Sequence, residues 1–130
     1  MLRVQSGDGL DAFMPERTAV TYIGVDAPSG NTPCGQAAAE RHRQLAANGL
    51  YLEEERGFSF DGGGLRLFHA FMPSGESVAL VLIEEGLARA VDEPHRLRQA
   101  YLAAEARAKS AKRGCLWAGA RSNQRAANAG

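Results

Sequence analysis

The sequence predicts an α+β chain, mainly β: a five-stranded barrel of the OB type with three helices, the longest at the C-terminus. Three observations point there. Five short apolar segments, rich in β-branched and aromatic residues, are punctuated by Gly, Pro and Asp turns. An alanine-rich helical stretch interrupts them after the third. A long stretch with one apolar stripe follows them all.

The first strand is Leu2 to Val4, and Gly7-Asp8-Gly9 makes the turn after it. Leu10 to Met14 forms the second, turned by Pro15 and Glu16. Thr18 to Val25 is β-branched and aromatic throughout and forms the third. It runs into Asp26-Ala27-Pro28 and a loop over 29–33. Residues 35–48 read as a helix, with Gly49 at the C-terminal cap position. Leu50 to Leu52 starts the fourth strand. A loop carrying Phe58, Phe60, Asp61 and three glycines leads to the fifth, over 65–72. Ser74-Gly75 is a hairpin turn, residues 79–85 are helical and Gly86 stops them. Pro94 opens a helix over 95–112, where Leu97, Tyr101, Ala104, Ala108 and Ala111 share one face. Leu116 and Trp117 then fold back onto the body. Residues 1–118 make one domain, and 119–130 a flexible polar tail.

Composition narrows the function. With 45% hydrophobic and 23% charged residues the chain is not disordered, and its two cysteines exclude a disulfide scaffold and a four-cysteine zinc ribbon. No apolar run is long enough to span a membrane. The chain begins MLRVQSGDGL, without an apolar leader core, and is expected in the cytoplasm. There the two cysteines, Cys34 and Cys115, would stay reduced. The zero net charge hides a split. Residues 1–88 carry 6 Lys and Arg against 12 Asp and Glu, and residues 89–130 carry 9 against 3. The basic end is either a solvated helix face and tail, or a surface for an acidic partner or nucleic-acid backbone.

Several segments, in order, resemble the staphylococcal nuclease (thermonuclease) family. Ser6-Gly7-Asp8-Gly9-Leu10 resembles its Asp-Gly-Asp-Thr turn, and Ile23-Gly24-Val25-Asp26-Ala27-Pro28 its Ile-Asp-Ala/Thr-Pro segment. Cys34-Gly35-Gln36-Ala37-Ala38 resembles its Phe/Tyr-Gly-x-Glu-Ala helix start. Ser74 to Val78, then Leu82-Ile83-Glu84-Glu85-Gly86-Leu87-Ala88, resemble its Asp-Gly-x-x-Val-Asn and Leu-Val-x-x-Gly-Leu-Ala stretches. Ala104-Glu105-Ala106-Arg107-Ala108 and Gly114-Cys115-Leu116-Trp117 resemble its closing helix and Gly-Leu-Trp.

The resemblance implies calcium-dependent phosphodiester cleavage by two metal-holding aspartates, a water-positioning glutamate and two phosphate-binding arginines. The chemistry needs this set because the transition state gains negative charge that cations must meet. Carried over, the metal aspartates fall on Asp8 and Asp26, and the metal's carbonyl ligand on Ala27. The glutamate falls on Ser29, the first arginine on Thr21 and the second on Leu65. Arg66 and Arg17 are the nearest substitutes, but Arg66 needs a one-residue slip and Arg17 lies four residues from Thr21. Asp8 and Asp26 also suit ordinary turns, and two carboxylates with one carbonyl would hold calcium only weakly.

The expected protein is thus a catalytically degenerate nuclease-like domain that needs no cofactor and binds single-stranded nucleic acid or a protein, not a membrane. Arg66, Arg107, Lys109, Lys112 and Arg113 are the nucleic-acid-binding candidates. The alternative is a calcium-dependent phosphodiesterase with a rearranged site. Phe58, Phe60, Phe68 and Phe71 are read either as core or as a stacking platform. His42, His69 and His95 form no ligand motif and are read as ordinary histidines.

Overall fold

A computed structural model describes residues 2–4, 7, 9–13, 17–58 and 65–118. Strands β1 (Leu2–Val4), β2 (Gly9–Phe13) and β3 (Arg17–Tyr22) form an antiparallel meander, with Val4 opposite Leu10 and Leu10 opposite Val20. The chain continues through β4 (Val25–Asp26), α1 (Pro33–Ala46), β5 (Tyr51–Glu53) and β6 (Arg66–Phe71). Strand β6 lies parallel to β3, with Tyr22 beside Phe68, and β5 pairs antiparallel with β6. The sheet order is β1-β2-β3-β6-β5. Helix α2 (Val78–Glu84), strand β7 (Arg89–Ala90), helix α3 (Arg98–Ser110) and a short helix α4 over 114–118 complete the chain. Strands β4 and β7 form a separate two-stranded sheet.

The α+β class holds, but four details differ from the sequence expectation. Seven strands are described rather than five, and four helices rather than three. Among the described residues β1 and β5 are unpaired edges, so the sheet is open rather than a closed barrel. The expected third strand breaks at Ile23-Gly24, where Gly24 takes φ +77° and turns the chain toward β4. The longest helix is α1, with 14 residues against 13 in α3, because α3 starts only at Arg98. Residues before it are held in tight turns by His95 N–H to the Glu93 carbonyl and Arg98 N–H to the His95 carbonyl.

Helices α1 and α2 start at side-chain caps. Thr32 Oγ1 accepts from the Gly35 N–H at 3.0 Å, and Ser77 Oγ accepts from the Leu80 N–H at 3.1 Å. The core lies between the sheet and α2, which buries Val78, Leu82 and Ile83 completely and packs on α3 and α1. Two pairs of buried polar groups satisfy one another: Tyr22 OH meets His42 Nε2 at 2.7 Å, and Ser77 Oγ meets Tyr101 OH at 2.7 Å. Burial pushes the Tyr101 phenol above its usual range.

Two links fix the C-terminal helix. Gly86 and Gly114, both at positive φ, let two backbones cross so closely that a Cβ on Gly86 would meet the Arg113 carbonyl oxygen at 1.7 Å. The Leu116 N–H donates to the Gly86 carbonyl at 3.1 Å. Beyond that crossing, Cys34 and Cys115 are joined by a disulfide, with Cα atoms 5.5 Å apart. The thiols expected to stay reduced are therefore bonded, tying the first turn of α1 to α4. No helix among the described residues is long and apolar enough to cross a membrane.

Candidate functional site

The β4–β7 pairing places Asp26 directly opposite Arg89. Directly opposed residues project to the same face of a sheet. Asp26, Ala27, Pro28, Arg89 and Leu116 line one cleft of about 210 Å³. Gly7 presses on the same loop, since a Cβ there would lie 2.8 Å from the Ala27 Cβ. Asp8 itself lies outside the described residues.

Beside the cleft, the Arg89 guanidinium lies 5.5 Å from the centre of the Trp117 ring, and Lys109 Nζ lies 5.1 Å from it. Two cations therefore converge on one half-buried aromatic. Lys112 and Arg113 are exposed in the turn that follows α3. Arg66, Arg107 and Lys109 itself are matched to carboxylates. Arg107 pairs with Glu84 at 3.4 Å, and Lys109 reaches Glu105 at 3.6 Å. Arg66 pairs with Glu54 and stacks over the Phe68 ring at 4.9 Å, so it does not join the Trp117 group. Arg41 is held by both oxygens of Glu85 at 2.8 Å, and this partner pushes its guanidinium pKa further up.

The positions that would carry phosphodiester chemistry are plainly placed. Ser29 Oγ donates to Asn31 Oδ1 at 2.6 Å, and the Ser29 carbonyl accepts from both Thr32 N–H and Thr32 Oγ1. These groups build the loop into α1. Thr21 pairs with Leu67 across β3 and β6, and Leu65 precedes β6. The backbone of Arg17 opens β3, and its side chain lies outside what is described. The residues fit calcium poorly. The side chains of Ser29, Asn31 and Thr32 bond within their own turn, and Arg89, a cation, stands opposite Asp26 in the β4–β7 pairing.

The aromatic residues are mostly inward. Phe68 is buried, while Phe58 and Phe71 are half-buried against His95 and His69 respectively. Phe60 lies outside the described residues. Tyr51, on the edge strand β5, is the exposed large hydrophobic residue among those described.

Two groupings were not legible in the sequence. Arg89 was absent from the site candidates, because only the pairing of two two-residue strands brings it to Asp26. The second grouping corrects the reading of His69 and His95 as ordinary, isolated histidines. With Glu55 they offer three ligand atoms within 4.8 Å of one another. His69 Nε2 bonds Glu55 Oε1 at 2.7 Å, and the Arg96 N–H reaches both Glu55 oxygens at 3.0 and 3.1 Å. Burial pushes the Glu55 carboxyl up, but the Arg96 and His69 hydrogen bonds outweigh it and hold the group below its ordinary range. Burial, with His69 adding to it, holds His95 below the usual histidine range.

The fold and cleft define an α+β domain in which Asp26 and Arg89 line one cleft beside a cation-flanked tryptophan. The family model described as staphylococcal nuclease homologue matches residues 19–119, and the chain belongs to that family. No curated protein matches the chain.

Proposed function

We propose that this chain is a catalytically degenerate domain of the nuclease family that binds single-stranded nucleic acid through its sugar-phosphate backbone. The observation that carries the reading is the convergence of Arg89 and Lys109 on Trp117 beside the Asp26 cleft. Cations next to a π-face match what a single strand offers: phosphates and stackable bases. Degeneracy rests on Ser29 and Thr21, which replace a base and a cation that the reaction needs. Losing a general base costs about 10²–10⁴-fold. Losing one preorganised donor costs about 10²–10³-fold. Arg66, the cation nearest the lost position at Leu65, is engaged by Glu54.

The OB-like architecture of the family is consistent with this use, as such folds often present a strand-binding face. The Cys34–Cys115 bond supports an oxidising compartment over the cytoplasm.

Fluorescence anisotropy of a labelled single-stranded oligonucleotide across a salt series tests the reading. A single strand gives a log–log salt slope of about −0.7 per phosphate contacted, so Arg89, Lys109, Lys112 and Arg113 together predict roughly −3. Arg89→Ala should bring the slope about 0.7 closer to zero. Absence of binding, or binding that salt does not weaken, would refute the reading and turn the search to a protein partner.

A further inference from the structure

We propose that Glu55, His69 and His95 form a binding site for a divalent transition-metal ion of the zinc class. The site lies on β6 and the loops after β5 and β7, and it is independent of the cleft and of the reading proposed for it. His69 is 1% exposed and His95 4%. Histidines so buried normally have both ring nitrogens satisfied. Here His69 Nδ1 and His95 Nε2 have no hydrogen-bond partner among the described residues. His95 Nε2 is thus an unsatisfied imidazole nitrogen in the same buried cluster as the His69–Glu55 pair, and a bound ion would supply the partner that the described residues do not.

The donor set selects the ion. Two imidazoles and a carboxylate, with a further position open to water, suit zinc. Calcium prefers six to eight oxygens and would find one carboxylate here. The supporting groups are also in place. Both oxygens of Glu55 are fixed by the Arg96 N–H, which orients the carboxylate toward His69. Hydrogen bonds of this kind to ligating groups hold metal ligands in position. Gly24 packs against the His95 ring, where a Cβ would lie 2.2 Å from Nε2, so the ring position requires glycine there.

Some rearrangement accompanies capture. Donor atoms around a tetrahedral zinc with bonds of about 2.0–2.1 Å sit roughly 3.4 Å apart, so the 4.8 Å spread must close by about 1.4 Å. His95 Nδ1 accepts from the Leu97 N–H at 3.2 Å, which places the proton of the neutral ring on Nε2. Coordination through Nε2 moves that proton to Nδ1 and gives up the long Leu97 contact. At His69, coordination through Nε2 replaces the Glu55 hydrogen bond and moves its proton to the unpartnered Nδ1. Neither ring loses a net proton, and no oxidant or reductant is involved.

The test uses the full oxidised chain, whose disulfide removes the thiols as competing ligands. Zinc chloride is titrated calorimetrically, and cobalt chloride by visible absorption. The expected results are one ion per chain, tetrahedral cobalt bands displaced by zinc, and no displacement by excess calcium. His69→Gln and His95→Gln should each weaken zinc binding by at least about 10-fold, in the range seen when metal-site partners are lost. His42→Gln, a buried histidine held by Tyr22 outside the cluster, should leave it unchanged. Cobalt in the wild-type chain without tetrahedral bands, or zinc affinity unaltered in both cluster variants, would overturn the proposal. If a variant fails to fold, the wild-type cobalt spectrum decides alone. A failure here leaves oligonucleotide binding at the Trp117 face untouched, so the two proposals fail separately.

Discussion

The disulfide offers the largest single perturbation. Cys34 and Cys115 close a loop with a sequence separation of 81. In the chain-entropy description, a cross-link over that span removes about 15 cal/mol/K from the unfolded ensemble, or about 4.5 kcal/mol at 25 °C. A domain of this kind has a total stability on the order of 5–15 kcal/mol, so the bond supplies a major share of it. Both cysteines are only half-buried, so a Cys34→Ser, Cys115→Ser double variant leaves no large core cavity to confuse the comparison. Urea unfolding of the oxidised chain and of this variant reads the difference. With a slope of about 2 kcal/mol per M, the midpoint should fall by about 2 M. A fall under about 0.5 M, or two titratable thiols in the unreduced, unfolded chain, would refute the reasoning.

Four further outcomes follow from single positions. Thr32→Ala removes the acceptor for the Gly35 N–H at the start of α1 and should cost about 1 kcal/mol in urea unfolding. Gly86→Ala forces a Cβ to 1.7 Å from the Arg113 carbonyl oxygen at positive φ, and should cost on the order of 3 kcal/mol. Gly75→Ala, also at positive φ but with open space around it, should cost about 1 kcal/mol in the same assay. Tyr101 is neutral when folded and its pKa is raised, so its contribution is complete below the unfolded value of 10.0 and is lost as pH rises through the folded value. Tyr101→Phe should flatten the decline of stability above pH 10, at a cost of about 1 kcal/mol near neutrality for the lost Ser77 bond.

Local chemistry made the elements legible, and distance hid the site. The alanine-rich stretch after Thr32, the Gly86 stop and the apolar stripe from Tyr101 to Ala108 each announced a helix within one or two turns of chain, whereas the Ser77 cap that starts α2 at Val78 was not legible. The family signature was readable for the same reason, because its pieces are local and in order. The break at Gly24 was not, since a β-branched run reads as one strand until the glycine's positive φ is seen. The helix over 95–112 was drawn too long because His95 and Arg96 serve Glu55 across the fold rather than a helical turn. His69 lies 14 residues from Glu55 and His95 lies 26 from His69, so no spacing rule joins them. The Asp26–Arg89 pairing and the Cys34–Cys115 bond are equally non-local and rest on how the C-terminal helices return to the sheet.

The most direct test of the central claim is a single-turnover cleavage assay on single-stranded DNA and RNA, with calcium and with EDTA. The account predicts bound but intact oligonucleotide in both, because Ser29 and Thr21 supply neither base nor cation. Calcium-dependent cleavage that disappears in the Asp8→Ala, Asp26→Ala double variant would contradict it, and would mean a working active site built around other cations.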